Sequence, residues 1–341
     1  MRNVMILLLG LALCFLAACG ANESTQGNNG SGEVEGQDEA EPAQNDLDYP
    51  QKPISMIVPF SAGGGTDATA RALAAASEPY LGESIGIVNT TGGGGAVGMS
   101  EGINSTPDGH TITMVTVELT TLPHLGLAQF TYEDFKPVAQ INFDPNVIAV
   151  PADSPYETIE DLVKDAKDNP GAIRVSNSGT GSIWHIAAAS VEQATGAEFS
   201  HVPFEGSAPA ITAALGNNVE AVSASPPEIL SYVESGDLRP LAVLAEERSD
   251  ALPDTPTFAE LGIDATIVGC PRGIMVPKDT PDEIVEFLEE AFMKGAQEAE
   301  FVEYMETNGL GLVVGNAEEF GEVLAESHNF FAELIPQMDL N

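Results

Sequence analysis

The stretch Ile54-Ser55-Met56-Ile57-Val58-Pro59-Phe60-Ser61-Ala62-Gly63-Gly64-Gly65-Thr66-Asp67 decides how this chain reads. Its first five residues form a short, mostly apolar run of the kind that makes a buried strand. From Thr66 to Ser77 the chain is rich in alanine and reads as a helix. Three glycines therefore stand at the joint. Without a Cβ they let backbone N–H groups approach a ligand closely. The helix start beyond them presents unpaired N–H groups and partial positive charge. Such a joint is either a tight turn or a seat for an anion.

The same layout returns further on. Ile173 to Asn177 is strand-like and runs into Ser178-Gly179-Thr180-Gly181-Ser182. A helix is predicted from Ile183 to Thr195, closed by Gly196. Between and after these units, apolar runs alternate with helical patterns, which predicts an α/β fold with mostly parallel sheets. Ile85 to Asn89 and Thr111 to Val115 are strands; Phe135 to Ile141 and Asn146 to Val150 are two extended segments. Thr158-Ile159-Glu160-Asp161 opens a helix with a capping-box pattern, and Thr280-Pro281-Asp282-Glu283 does so with proline at the first helical position. Asn316 to Glu319 starts a last helix. The C-terminal helices have no strands of their own in this reading and are expected to pack on the first lobe.

The ends and the composition bound the role. Arg2 precedes a short apolar run from Val4 to Leu13, then Leu16-Ala17-Ala18-Cys19. This describes a secretory signal rather than a spanning helix. A cysteine after Leu-Ala-Ala is similar to a bacterial lipobox, so residues 1–18 are expected to be cleaved and Cys19 to carry lipid. Residues 19–48 then form an acidic tether too polar to bury a core. Cys270 is left without a partner and reads as a buried small residue. The chain holds 52 acidic and 12 basic residues, a formal net charge of −40. That balance excludes nucleic acid and anionic membrane surfaces as partners. It also suggests a salty habitat, where charges are screened over about 8–10 Å or less. The melting temperature should then rise with added salt; a flat response would count against that habitat.

The order of motifs resembles one family. Val58-Pro59-Phe60-Ser61-Ala62-Gly63-Gly64-Gly65-Thr66-Asp67, Gly94-Gly95-Ala96-Val97-Gly98 and Pro107-Asp108-Gly109 come first. Asp134 to Ala139, Ser178 to Ser182 with His185, and His201-Val202-Pro203-Phe204-Glu205-Gly206 follow. Leu238 to Val243, Ala251 to Thr257 and Val276 to Pro281 complete the series. From Tyr49 onward this looks like the substrate-binding receptors of tripartite tricarboxylate transporters, the Bug-type solute receptors. The resemblance implies a two-lobed, type II periplasmic-binding-protein fold with a ligand cleft between lobes. Lobe 1 would comprise residues 49–150 and 271–341, and lobe 2 residues 151–270. It implies an extracytoplasmic, monomeric receptor without catalytic residues, cofactor or metal. Such a receptor captures a small di- or tricarboxylate and passes it to transporter membrane subunits, touching the membrane only through its lipid. A receptor for an acidic amino acid or aromatic acid with a sensing role is the alternative.

The resemblance carries ligand contacts onto Phe60, Ala62, Gly63, Gly64, Thr66 and Asp67 in the first loop. In the second lobe it carries them onto Ser178, Gly179, Gly181, Ser182 and His185, and onto Phe204, Gly206, Ser207 and Ala208; Ser223 is counted with the site as part of a stretch that can face the cleft. A dicarboxylate bridging the two helix starts fits this set. Thr66 and Ser182 also stand where they can cap their own helices, and Asp67 sits well in a first helical turn. His185 is expected to brace its loop, Arg272 to form an ion pair, and Trp184 to be either core or cleft wall. The chain departs from the family at Ser61, usually proline, at Glu205, often lysine or arginine, and at Ser223-Ala224-Ser225. Gly93 to Gly98 also fits G-x-G-x-x-G with Glu118 downstream, the pattern of a dinucleotide-binding oxidoreductase. No nucleophile elbow, phosphate loop or metal cluster is visible in the sequence.

Overall fold

The computed structural model describes residues 47–338. The expected signal segment and Cys19 lie outside the described residues, as does nearly all of the expected tether. The N-terminal half alternates strand and helix: β1 (Ile54–Val58), α1 (Gly65–Leu81), β2 (Ile85–Asn89), α2 (Ala96–Ile103), β3 (Thr111–Thr116) and the single turn α3 (Glu118–Thr121). Next comes β4 (Phe135–Pro151), one strand of 17 residues. It replaces the two extended segments expected there. Beyond it lie α4 (Ile159–Asp168), β5 (Ile173–Asn177), α5 (Ile183–Thr195), β6 (Phe199–Pro203), α6 (Ser207–Leu215), β7 (Ala221–Ala224), α7 (Pro226–Glu234) and β8 (Leu238–Leu244). The chain closes with β9 (Gly269–Pro277), α8 (Asp282–Gly295), α9 (Ala299–Thr307), β10 (Leu312–Gly315) and α10 (Ala317–Leu334).

The strands run in the order β2-β1-β3-β9-β4-β7-β5-β6, with β8 and β10 also pairing with β4. Strand β4 is the spine. Its residues up to Pro145 pair with β9, and those from Asn146 pair with β7 and β8. One strand thus serves two sheets, one per lobe, and β9 returns alongside it. The parallel pairs expected from the alternating pattern are β1 with β2 and β3, and β5 with β6 and β7. Every pairing of β4, and that of β3 with β9, is antiparallel, because the strands that link the lobes run out and back.

Each lobe has its own core. In the first, Ala70 and Leu73 of α1 and Leu288 and Phe292 of α8 cover Met56, Ile112 and Ile274 of the sheet. Burying each large side chain contributes roughly 1.5–3 kcal/mol. In the second, Trp184, Ile186 and Val191 of α5 pack on Ile148, Val150 and Val175. Helix α10 departs from the expectation that it packs on the first lobe alone. Phe320 and Leu324 join Val115 and Met275 there, but Phe331 and Leu334 join the second-lobe cluster. Strand β10 is a further correction. It is a four-residue strand on the edge of β4, where the sequence reading placed none.

Helix ends follow local chemistry. The α4 and α10 capping boxes form, with Thr158 and Asn316 as caps. Helix α5 spans the predicted residues and ends on Gly196 at φ 73°. The box expected at Thr280 does not form. Pro281 is the cap, and Thr280 Oγ1 has no partner.

Candidate functional site

The two glycine-bearing joints face each other across a cavity of about 20 Å³, enough for one water. Phe60, Gly64, Gly65 and Thr66 line it from the first lobe, with Cys270 and Arg272 from β9. Ser178, Ile183, Trp184 and Ser207 line it from the second. Trp184 is 3 % exposed, so the lone tryptophan is both core and cleft wall.

Arg272 is 1 % exposed. Its Nε donates to Thr66 Oγ1 at 3.0 Å, and its Nη1 donates to Asn142 and Asp144. Asp144 is itself fully buried and accepts from Asn142 Nδ2 at 3.1 Å and Gly311 N at 2.9 Å. This matches the ion-pair reading of Arg272. The pair, however, sits in the cavity wall and connects both central strands to the start of α1. Thr66 does not cap α1, because Gly64 is the N-cap and no side chain accepts there from that residue. Its hydroxyl serves Arg272 instead.

Asp67 is 4 % exposed, and its oxygens serve its own lobe. They accept from Gly63 N, Arg71 Nε and Asn89 Nδ2, each at 3.0 Å. Burial alone would push its carboxyl up; bonds from Arg71, the Gly63 N–H and Asn89 outweigh that and hold it below the usual range. It shapes the loop from behind and does not line the cavity.

In the second lobe Ser182 caps α5, accepting from His185 N at 3.3 Å. His185 Nδ1 accepts from Gly181 N at 3.1 Å, which places the ring proton on Nε2. Burial first, and the neighbouring His201 ring second, lower its pKa to about 4, so it is a neutral brace at pH 7. Asn177 Oδ1 accepts from Gly179 N at 3.0 Å. Ser223 lies in the second-lobe core; its Oγ accepts from Asn146 and donates to the Trp184 carbonyl at 2.6 Å.

The sequence-predicted residues therefore separate. Phe60, Gly64, Thr66, Ser178 and Ser207 line the cavity. Asp67, Gly179, Gly181, Ser182, His185 and Ser223 hold that wall from behind. Ala62 and Gly63 are exposed at the loop tip, beside Phe204, Gly206 and Ala208 at the cleft rim. Gly206 has φ 139°, and a Cβ there would collide with Ser61, so glycine lets the two rims meet. There Ser61 N donates to the Glu205 carbonyl at 3.1 Å, while Glu205 itself is exposed.

Among the lining residues that the predicted ligand set lacks are two glutamates. Glu118, the first residue of α3 in the first lobe, accepts from Ile183 N at 2.8 Å. That is the first N–H of α5. Glu228, on α7, accepts from Gly65 N at 2.9 Å and from Ser225 N at 3.0 Å. Gly65 N is the first N–H of α1. Each cleft-facing helix start is thus capped by a carboxylate from the other lobe. Glu118 is 1 % exposed, and burial pushes its carboxyl up. The only sequence signal for Glu228 is its spacing from Ser225, which explains one of its two bonds.

Two lobes on a shared strand, with a helix start from each at the cleft, define a solute-binding protein, and a solved periplasmic transporter and the periplasmic binding protein BugD, each 30 % identical, superpose on it with TM-scores of 0.82 and 0.81. Residues 69–340 match the family described as tripartite tricarboxylate transporter family receptor, and the chain belongs to that family. It is 32 % identical over 295 residues to the UPF0065 protein in the gbd 5′ region of Cupriavidus necator, covering 84 % of this chain and 88 % of that one. A TctC solute-binding protein from Polaromonas is 42 % identical, with coverage of 85 % and 99 % and a TM-score of 0.63. A Rhodopseudomonas palustris protein solved with adipate is 26 % identical, with coverage of 84 % and 97 % and a TM-score of 0.80. Members of the family are substrate-binding proteins and not enzymes, which removes the oxidoreductase reading. In this chain Glu118, the acid of that reading, caps α5.

Proposed function

We propose that this chain is an extracytoplasmic receptor for a small di- or tricarboxylate, which it delivers to the membrane subunits of a tripartite tricarboxylate-type transporter. Lipid on Cys19 would hold it to the membrane; no helix among the described residues is long and apolar enough to cross one. The observation that supports the substrate class is the seat at the start of α1. It combines the first N–H of α1, the Thr66 hydroxyl and a buried guanidinium, and a carboxylate already rests there, that of Glu228. Donors of this kind favour an anion and strengthen as water is excluded. The adipate bound by the R. palustris relative is a dicarboxylate, in keeping with this class.

The mechanism is lobe closure, with ligand contacts stabilising the closed form. A cavity of about 20 Å³ is far below the size of a dicarboxylate, so entry requires the lobes to part. The deciding experiment is calorimetry and thermal shift of the purified chain against di- and tricarboxylates, amino acids, sugars and metal ions. One carboxylate should raise the melting temperature and give saturable heat. Stabilisation by a sugar or metal ion, with no carboxylate active, would sink the proposal.

A further inference from the structure

The two crossed caps differ in one respect. Glu118 is 1 % exposed and enclosed at the start of α5. Glu228 is only partly buried, so its side chain has a path to water. Its carboxylate nevertheless occupies the part of the cleft best built for an anion. A Cβ placed on Gly65 would stand 3.1 Å from Arg272 Nη2 and 3.2 Å from Glu228 Oε1, so guanidinium, helix start and carboxylate converge on one point. Glu228 belongs to α7 of the second lobe, whereas Gly65 belongs to the first. Its bond therefore holds the lobes together as a bound ligand would.

We propose that Glu228 is an internal stand-in for the substrate: in the ligand-free receptor its carboxylate occupies the anion seat and latches the lobes, and capture exchanges it for a substrate carboxylate. This rests on the carboxylate-receptor reading for the exchange but not for the latch. Three consequences follow from the geometry. The exchangeable seat is at the α1 end, because the first N–H of α5 stays with Glu118. A substrate carboxylate and the Glu228 carboxylate cannot share the seat, since two like charges there repel with little water to screen them. The affinity observed for the substrate is reduced by the fraction of receptor that is latched.

The test uses Glu228→Ala, which removes the latch, and Glu228→Gln, which keeps one of the two acceptor oxygens and removes the charge. Urea midpoints identify any variant that fails to fold, and the glutamine variant keeps one acceptor oxygen, enough for the bond from Gly65 N or from Ser225 N but not for both. Small-angle scattering without ligand should show a larger radius of gyration for Glu228→Ala than for the parent, with Glu228→Gln between them. Calorimetry with adipate, succinate and malate should show at least tenfold tighter binding by Glu228→Ala to whichever binds. A ligand-free scattering profile unchanged in Glu228→Ala overturns the latch, as does equal or weaker carboxylate binding by that variant. Opening of the ligand-free variant with no carboxylate bound by either protein leaves the latch standing and overturns the substrate class.

Discussion

Replacing Arg272 by methionine should destabilise the protein by about 3–5 kcal/mol, the cost of leaving a buried charge without its partner. For a folded chain of this size that is a fall of roughly 5–8 °C in melting temperature. Asp144 is 0 % exposed, and its only charged partner in the described structure is Arg272. Truncating the guanidinium strands that carboxylate and also frees Asn142 and Thr66. Adding Asp144→Asn removes the stranded charge while keeping an oxygen for Gly311 N, so the double variant should be more stable than Arg272→Met alone. Urea denaturation of the three proteins decides it. A loss under 1 kcal/mol for Arg272→Met would mean that the pair is incidental to the fold.

This pair also shows where sequence reading ran out. Local signals were legible: the α5 bounds, the Gly196 terminator, and the capping boxes at Thr158 and Asn316 each depend on residues three or four apart. The continuity of β4 was not. Asn142, Asp144 and Asn146 interrupt its apolar run, and a polar interruption normally marks a loop. Here all three are fully buried and bonded by partners more than 70 residues away in sequence: Arg272 and Gly311 for the first two, and Ser223 and Ala224 for Asn146 Nδ2. Strand β10 was missed for a related reason, since four residues carry no period of their own and pair only because β4 runs past them.

The site was half legible. A glycine joint at a helix start announces an anion seat, and both joints do face the cavity. What sequence did not reveal is that each seat is crossed by a glutamate from the opposite lobe. Glu118 entered only as the downstream acid of a dinucleotide-binding pattern, and Glu228 was not singled out at all. Local rules account for the bond of Glu228 to Ser225 N, but the bond to Gly65 N spans 163 positions and depends on how the lobes meet. Motif matching therefore finds the donors of a cleft more readily than the acceptors already using them.

The meeting of the lobes can be tested apart from ligand chemistry by comparing two adjacent glycines. Gly93 and Gly94 have φ values of 59° and 64°, so alanine at either costs about 1–2 kcal/mol of backbone strain. They differ in what a methyl group would meet. At Gly93 the nearest atom is Ala96 Cβ at the start of α2, on the same side of the cleft, at 3.3 Å; at Gly94 it is the Thr180 carbonyl oxygen, across the cleft at 2.7 Å. Gly94→Ala should therefore oppose closure itself, whereas Gly93→Ala should only strain the loop. Both should lower the urea midpoint similarly. If closure is what retains the ligand, Gly94→Ala should bind a carboxylate at least tenfold more weakly than Gly93→Ala, a difference of about 1.4 kcal/mol in the closed state alone. Equal affinities would show that the Gly94–Thr180 contact is absent from the ligand-bound form, and with it this account of how the lobes close.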